Sequence, residues 1–368
     1  MTLKDRIHRM PKVELHIHLE GSVSPGTYLR LCERNGLRPA LDVSEEMEHY
    51  PLPQPQNFEH FVHIYLAIQH AMRTAEDFAL VVYELGRDRA AQNIVYSEVT
   101  VTPYTHIWQN KGLHPEAIIE GLEEGRRRVR EDFGVELRWI LDIPRNLPEP
   151  AATWTTDWAI AWQDRGVVAL GLGGNEAKAP PEHFATAFAR ARAAGLHSAP
   201  HAGETGGAPS VWGALHALAA ERIGHGVRSI EDPLLLVYLK THQIPLEINL
   251  TSNVKLGIYP SLDHHPFPHL WRMGLRLTLN SDDPPLFHTT LTREYVKAVQ
   301  HYGLTWSDIC LLVRNAAQAT FLPPTEKDAL VRRVDQELAA LTEGEITPSS
   351  PANGTAGTSP RPEGKHRE

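Results

Sequence analysis

Histidines and acidic residues stand at the ends of several short apolar segments of this chain, and their types suit metal binding. The segment PKVELHIHLEGS carries His16 and His18, which are two residues apart and so share one face of an extended strand. HAGET begins at His201 and brings Glu204 three residues later, and His225 lies in ERIGHG. Neutral imidazoles are ordinary zinc ligands, and bound zinc lowers the pKa of its water to about 7. The pattern therefore indicates a metal site that could supply hydroxide at neutral pH.

Two adjacent aspartates add the carboxylate that such a site requires. Asp282 and Asp283 follow the apolar run LTLN in LNSDDPP. Three histidines and one carboxylate, with a water, complete a zinc shell. Glu204, His225 and Asp283 are then left over, and a purely structural zinc needs no spare acid or base beside it. This surplus favours catalysis, although each residue alone also fits a core histidine, a helix N-terminal carboxylate or a capping turn.

The elements that would position these residues alternate between strands and helices. Helical patterns such as Pro115–Asp132, Pro181–Ala194 and Asp232–Thr241 separate short β-branched or apolar runs. Eight such runs predict strands, at Val13–Leu19, Ile94–Val101, Glu136–Ile143, Val167–Leu172, His197–His201, Arg222–His225, Ile244–Asn249 and Arg276–Asn280. This alternation predicts parallel strands in a (β/α)8 barrel with insertions. A doubly wound open sheet is the alternative, but HIHLEGS is not the Gly-rich phosphate turn that it needs.

The first strand shows how a barrel would use these residues. Strict alternation places four apolar residues on one face, Val13, Leu15, Ile17 and Leu19, and four polar residues on the other, Glu14, His16, His18 and Glu20. In a barrel the apolar face packs on helices and the polar face points inward. The histidines would then project into the C-terminal mouth, where barrel active sites lie. An edge strand with a solvated polar face is the alternative.

Composition excludes several classes of protein. The chain has 368 residues, of which 42% are hydrophobic and 22% charged, so it can bury a large core. Its net charge of -9 argues against nucleic-acid and anionic-membrane partners. Its two cysteines, Cys32 and Cys310, exclude a disulfide framework and a cysteine-based zinc site. No apolar run is long enough for a transmembrane helix and the N-terminus has no signal-peptide pattern, so a cytoplasmic location is predicted.

The C-terminal segment differs in composition from the rest. After Gly344 the chain reads EITPSSPANGTAGTSPRPEGKHRE, a segment rich in Pro, Ser, Thr and Gly. Such a composition has almost nothing to bury. We predict a single barrel over residues 1–343 and a disordered tail over residues 344–368.

Five segments together resemble the adenosine deaminase family: PKVELHIHLEGS, HAGET, ERIGHG, LTSNVKLG and LTLNSDDPPLF. The similarity runs in order from about residue 10 to 325. The resemblance implies a (β/α)8 barrel with extra helices over its mouth, one catalytic zinc and hydrolytic removal of ammonia from a purine. It implies that the zinc ligands are His16, His18, His201 and Asp282.

The resemblance also implies roles for the remaining residues of the site. Glu204 would protonate purine N1, His225 would orient the hydroxide and help take its proton, and Asp283 would hold the hydroxide and accept near N7. Gly174, in GLGGNE, would place a backbone amide against purine N3. The substrate would also contact His18, Glu20 and, on a helix over the mouth, Phe61 or Tyr65.

Departures from the family pattern bear on the substrate. Adenosine-specific members usually carry Asp where this chain has Glu20, and members that act on free adenine resemble GLDSSE where it has GLGGNE. The stretches LRWILDIP and PHAGETGGAPSVWGAL look more like bacterial members that deaminate 6-aminodeoxyfutalosine, a 5′-extended adenine nucleoside of menaquinone synthesis. We therefore expect a small purine nucleoside substrate, with 6-aminodeoxyfutalosine favoured over adenosine, and the oligomeric state is left open.

Two other classes of protein compete with this interpretation. A binuclear amidohydrolase acting on another amide or ester would bridge two metals with a lysine at the end of the fourth strand, but that strand ends in GLGGNE and Lys178 lies further on. A non-catalytic zinc-binding relative would be expected to lose Glu204, His225 and Asp283 first. The other zinc-deaminase architecture is excluded because it requires a P-C-x-x-C cysteine pair.

Overall fold

The computed structural model describes residues 1–51 and 58–343. Each strand is parallel to the next, in the order β1-β2-β3-β4-β5-β6-β7-β8. The strands are Lys12–His18 (β1), Ile94–Val101 (β2), Glu136–Pro144 (β3), Val167–Gly173 (β4), His197–Ala202 (β5), Ile223–His225 (β6), Leu246–Ile248 (β7) and Leu277–Leu279 (β8). Helices connect and surround them, so the predicted (β/α)8 barrel is confirmed. All eight predicted strands form, with ends that differ by up to two residues.

The helices of the described residues fall into two groups. Those that follow a strand and return to the next one surround the barrel, and shorter additional ones cover its C-terminal mouth. They are Leu3–Arg9 (α1), Pro25–Arg34 (α2), Phe58–Ala71 (α3), Ala75–Ala91 (α4), Pro103–Gln109 (α5), Pro115–Phe133 (α6), Pro150–Ala161 (α7), Ala185–Ala193 (α8), Ala208–Ala217 (α9), Pro233–His242 (α10), Leu250–Lys255 (α11), Phe267–Arg272 (α12), Pro284–Phe287 (α13), Leu291–Tyr302 (α14), Trp306–Ala319 (α15) and Pro324–Glu343 (α16). The predicted helix Pro181–Ala194 divides into a 3-10 turn, Pro181–Phe184, and α8.

The barrel closes between β1 and the segment that follows β8. The backbone N–H of His18 donates to the carbonyl of Asp282 at 3.1 Å, and the N–H of Asp282 donates to the carbonyl of His16 at 3.3 Å. The side-chain oxygen of Asn280 accepts from the N–H groups of Leu15 and His16 at 3.0 and 3.2 Å. Closure therefore places the Asp282 segment directly beside the two histidines of β1.

The strict alternation predicted for the first strand is wrong at Glu14. The pairing of β1 with β2 shifts between Glu14, opposite Ser97, and Ile17, opposite Val99. Because Ser97 and Val99 share a face of β2, Glu14 lies on the same face as Ile17 rather than with the histidines. There it is fully buried and pairs with Arg89 of α4. A bulge in β1 thus keeps His16 and His18 inside the barrel and directs Glu14 outward.

A buried network of charged side chains lies inside the barrel. Arg222, 1% exposed, donates through Nε to Glu247 of β7, and its Nη2 atom forms an ion pair with Glu98 of β2, each at a nitrogen–oxygen distance of 2.6 Å. Its guanidinium also lies 3.8 Å from the centroid of the Phe321 ring. Because a buried ion without a partner is costly, the cation and the two carboxylates stabilise one another in this position. The arrangement links three elements across the barrel axis.

Some predictions fall outside what the structure describes. The tail predicted for residues 344–368 lies beyond the described residues. Among the residues that are described, no helix is long and apolar enough to cross a membrane. The cytoplasmic location stays a prediction from the sequence.

Removing the buried cation should destabilise the barrel. We expect Arg222→Met to lower the free energy of unfolding by about 3–5 kcal/mol, because Glu98 and Glu247 are left as uncompensated buried carboxylates. Guanidinium unfolding followed by tryptophan fluorescence measures the loss. Arg190→Met is the control, since Arg190 pairs with Asp157 at the surface and such a pair contributes at most about 1 kcal/mol. Equal losses for the two variants would contradict the structural role of Arg222.

Candidate active site

A cavity of about 340 Å³ opens at the C-terminal ends of the barrel strands. Side chains from β1, β3, β5 and β6 and from the loops after β5 and β8 form its polar floor, and α3 and α5 supply much of its apolar wall. The polar lining includes His18, Asp142, His201, Glu204, His225, Asp282 and Asp283, and the apolar lining includes Phe61, Leu66, Trp108, Leu147 and Leu256. A largely apolar cavity with a few convergent polar groups is the usual form of a small-molecule site.

Three of the predicted metal ligands, His18, His201 and Asp282, line this cavity, and His16 lies directly beside them. The Nε2 atoms of His18 and His201 are 3.2 Å apart, and the Nε2 atoms of His16 and His18 each lie 3.3 Å from Asp282 Oδ1. These groups come from three separate parts of the chain and are all buried. The structure therefore brings the four residues together as the resemblance implied.

The two predicted proton-handling residues lie beside this cluster. His225 Nε2 is 3.7 Å from Glu204 Oε1 and 3.8 Å from Asp282 Oδ2. The His225 ring nitrogen also lies close enough to His16 and His201 to belong to a possible three-histidine metal group. Its Nδ1 atom faces the side-chain amides of Asn249 and Asn253 at 3.2 and 3.0 Å.

The backbone is left-handed at two of these positions. His225 has φ 60° and Asp282 has φ 65°, and residues with a Cβ adopt this conformation rarely. Each residue stands where its strand ends, at β6 and beyond β8. The left-handed turn redirects the side chain toward the metal cluster, and its conformational cost is typical of functional sites.

Two glycines of the sequence motifs admit the site side chains. A Cβ on Gly21, in HLEGS, would lie 1.5 Å from Asp283 Oδ1, and a Cβ on Gly224, in ERIGHG, would lie 2.9 Å from His16 Cε1. The first distance is impossible and the second is shorter than real Cβ contacts. Both glycines are therefore required by close approach, so the motifs combine the reacting groups with the space that they need.

The electrostatics of the cluster favour a bound cation. Burial opposes the ionisation of Asp282, but the imidazoles of His16 and His18, each 3.3 Å from its Oδ1 atom, hold its pKa well below its ordinary value. Burial likewise opposes a charge on His16, yet Asp282 and Glu247 raise its pKa to about 10. The carboxylates thus draw positive charge to the point where the donor atoms meet.

The donor set also fits a metal ion on chemical grounds. His16 Nε2 is buried and has no hydrogen-bond partner among the described residues, although it points at the cluster. Imidazole nitrogens with one carboxylate oxygen form a set that Zn²⁺ and related divalent metals accept. A cation at this point would satisfy His16 Nε2 and neutralise the carboxylate.

The groups assigned to proton transfer have strongly perturbed acidities. Burial, with Asp282 and Glu176 nearby, raises the pKa of Glu204 to about 8, so the carboxyl group is protonated at neutral pH. Burial lowers the pKa of His225 to about 3, so this imidazole is neutral. Burial and the adjacent Asp282 carboxylate raise the pKa of Asp283 well above its ordinary value. Such a separation of pKa values is typical of acid–base catalysts.

Sequence reasoning missed the residues that hold these groups in place. Glu247 of β7 lies 2.9 Å from His16 Nδ1, and a carboxylate on the outer nitrogen of a metal-binding histidine orients the ring. Glu176, in GLGGNE, accepts from the N–H groups of Gly203, Glu204 and Thr205 at 2.7, 2.9 and 2.8 Å. The only sequence signal was an acidic residue inside or beside an apolar strand.

The predicted substrate-binding residues divide into two groups. Phe61, Tyr65 and Gly174 line the cavity, as do His18 and Asp283. Glu20 is fully buried and is not among the lining residues. The hydrogen-bond partners of its carboxylate are Tyr65 Oη, Gln69 Nε2, Thr102 N and His106 Nε2, at 3.1, 3.4, 3.0 and 2.9 Å. Three of these four partners line the cavity, so Glu20 acts on it through them.

Comparison with known proteins places this site in a family. The adenosine deaminase family model matches residues 11–337. An aminodeoxyfutalosine deaminase of Streptomyces coelicolor is 39% identical over 90% of this chain and 85% of its own. The crystal structure of an adenine deaminase from Arthrobacter aurescens has a TM-score of 0.83 at 29% identity and covers 90% of this chain and 99% of its own. An amidohydrolase of Burkholderia ambifaria with bound Zn has a TM-score of 0.82 at 25% identity, over 94% and 95% of the two chains. The chain therefore belongs to the adenosine deaminase family.

Proposed function

We propose that this protein is a zinc-dependent aminohydrolase that replaces the 6-amino group of an adenine nucleoside by oxygen and releases ammonia. One observation carries the proposal: the side chains of His16, His18, His201 and Asp282 converge at the base of one cavity, which Glu204, with its pKa raised to about 8, also lines. A hydrolytic deamination needs an activated water and an acid that protonates the purine ring. The metal cluster could supply the first and Glu204 the second to a purine bound in this cavity.

A single zinc ion fits the donors better than two. When bound, zinc would lower the pKa of its water and supply hydroxide at neutral pH. A second ion would need bridging donors at the end of β4, where the chain has glycines and where Lys178 is not among the cavity-lining residues. This geometry supports the mononuclear deaminase over the binuclear amidohydrolase.

Each acid–base residue has a role that its environment supports. Glu204, protonated at pH 7, donates to purine N1, which removes the negative charge that would otherwise build up on the ring during attack at C6. His225 is neutral, and because the amides of Asn249 and Asn253 donate to its Nδ1 atom, its Nε2–H donates to the attacking water and orients it. Asp283, held above Gly21, orients the water and the base edge near N7, and the backbone N–H of Gly174 faces purine N3.

The cavity supports a nucleoside that is extended at its 5′ carbon. Its apolar wall, which includes Phe61, Leu66 and Trp108, extends beyond what an adenine ring alone would fill. Glu20, the residue expected on the ribose 5′ side, lies behind Tyr65 and does not present a carboxylate to a 5′-hydroxyl. With the aminodeoxyfutalosine deaminase as a 39% identical relative, these features favour 6-aminodeoxyfutalosine over adenosine.

Removing the acid of Glu204 should abolish turnover without removing the metal. We expect Glu204→Gln to keep zinc and lose at least a hundred-fold in kcat, because the amide cannot protonate purine N1. In the unsubstituted enzyme, kcat/KM should fall as the pH rises through about 8, where Glu204 loses its proton. Glu337→Gln, on the surface of α16, is the control for expression and handling. Turnover near the normal rate in Glu204→Gln would refute the assignment.

The carboxylate behind His16 should strengthen metal binding. We expect Glu247→Gln to weaken zinc affinity by about 10–100-fold, since the ring of His16 loses its orienting acceptor. Competition with a chromophoric chelator measures this change without any substrate. Glu221→Gln is the matched control, because Glu221 bonds His197 at 2.9 Å on the exposed surface. An unchanged zinc affinity in Glu247→Gln would exclude its role at the metal.

The substrate is tested by ammonia release from five compounds in parallel: adenosine, 2′-deoxyadenosine, adenine, 5′-methylthioadenosine and 6-aminodeoxyfutalosine. We expect the highest kcat/KM for 6-aminodeoxyfutalosine, because the apolar wall holds its 5′ extension. A wide margin for adenosine would overturn the substrate while leaving the chemistry intact. A zinc-loaded protein inert on all five would favour a non-catalytic zinc-binding relative.

A further inference from the structure

A buried carboxylate beside the metal cluster has no part in the chemistry described so far. Asp142 lies near the C-terminal end of β3, is 3% exposed and lines the cavity. Its Oδ1 atom accepts no hydrogen bond from the described residues. A buried carboxylate oxygen without a donor costs free energy, so its retention requires a compensating gain.

The neighbouring strand leaves space for this carboxylate alone. Gly171 of β4 pairs with Asp142, and a Cβ on Gly171 would lie 2.0 Å from Asp142 Oδ1. A Cβ on Gly173 would lie 2.4 Å from Asp142 Oδ2. Glycine inside a strand is destabilising. The two successive inward positions of β4 are therefore bare, and any larger residue would displace the carboxylate of Asp142.

The histidine facing this carboxylate also has an unused nitrogen. The Nε2 atom of His201 is turned to the cluster, 3.2 Å from His18 Nε2, so Nδ1 points away from it. His201 Nδ1 has no hydrogen-bond partner within the described part of the chain, and it lies 3.9 Å from Asp142 Oδ2. His16, by contrast, already has Glu247 at 2.9 Å from its Nδ1 atom.

The end of β3 also holds the backbone of this histidine. Arg145 Nη2 donates to the carbonyl oxygen of His201 at 2.7 Å, and Arg145 Nη1 donates to the carbonyl of Ala179 at 3.0 Å. One strand end therefore fixes the main chain of His201 and presents a carboxylate to its ring. His201 Nδ1 lacks a partner and lies 3.9 Å from Asp142 Oδ2, while Oδ1 of the same carboxylate lacks a donor. An imidazole N–H and a carboxylate are complementary in hydrogen bonding, and a small movement of either side chain would join them.

We infer that Asp142 is a positioning residue for His201. Its carboxylate accepts the Nδ1–H of the imidazole, fixes the tautomer and turns the Nε2 lone pair to the metal. The gap of 3.9 Å shortens as the ring moves into its coordinating orientation. This inference rests on the proposed function in one respect, namely that a zinc ion occupies the cluster. It gives His201 the same support that Glu247 gives His16, from the opposite side of the barrel.

The inference is tested on metal affinity, which requires no substrate. We expect Asp142→Asn to weaken zinc binding about 10–100-fold in competition with a chromophoric chelator. The visible spectrum of the cobalt-substituted protein should also change, because the orientation of one ligand ring changes. Asp132→Asn is the matched control, since Asp132 accepts from Tyr83 Oη at 2.9 Å on the surface.

A second variant keeps every polar group and removes only the space. Gly171→Ala should displace the Asp142 carboxylate and reproduce the loss of zinc affinity. Gly213→Ala is its control, because a Cβ there would lie 2.5 Å from Glu182 Oε1, a carboxylate that does not line the cavity. This pair of variants decides the question even if Asp142→Asn does not fold.

The outcomes separate this inference from the proposed function. An unsubstituted protein that binds no zinc would refute both. Normal zinc affinity and an unchanged cobalt spectrum in Asp142→Asn and Gly171→Ala would overturn the inference alone. If those variants instead raise KM for the nucleoside at normal zinc affinity, the carboxylate contacts substrate and the positioning role is wrong.

Discussion

The structure depends on balancing charge inside a barrel that excludes water. Arg222 joins Glu98 to Glu247, and Glu247 in turn holds His16 at the metal cluster. Because each of these ions would be costly alone, the chain of contacts ties the stability of the barrel to the orientation of a metal ligand. Replacing one member of this chain of contacts would therefore alter the charge balance of the others, whereas an apolar interior would impose no such coupling.

Space is the second constraint, and small residues supply it. Gly21, Gly224 and Gly171 each stand where a Cβ would overlap or crowd a functional side chain, at Asp283, His16 and Asp142. A glycine in a strand is destabilising, yet these glycines let polar side chains approach the cluster of histidines and Asp282 from several directions. The glycines of the motifs HLEGS and ERIGHG therefore provide space that the functional side chains require.

Much of the site follows from the sequence because its residues stand at strand ends. The types and places of His16, His18, His201 and Asp282 made them candidates for a metal site, since parallel barrel strands bring those ends together, and the family resemblance selected them as the ligand set. Glu14, Glu247 and Asp142 were not assigned correctly or were overlooked. Their roles depend on a bulge in β1 and on contacts between strands far apart in the chain, which local spacing does not encode. The burial of Glu20 behind the cavity wall was likewise not visible in the sequence, because its hydrogen-bond partners come from α3 and from residues 102–106.

Two histidines of the cluster differ in the group that contacts the ring nitrogen facing away from the cluster. His16 has a carboxylate on its outer nitrogen, which increases its basicity toward a metal. His225 has two side-chain amides there in place of a carboxylate, and burial leaves it neutral. The charges of the two imidazoles therefore differ because of residues in β7 and at Asn249 and Asn253, rather than because of the histidine motifs. A substitution that exchanged amide for carboxylate behind these rings would therefore change the charge that each ring carries, even though both histidines were retained.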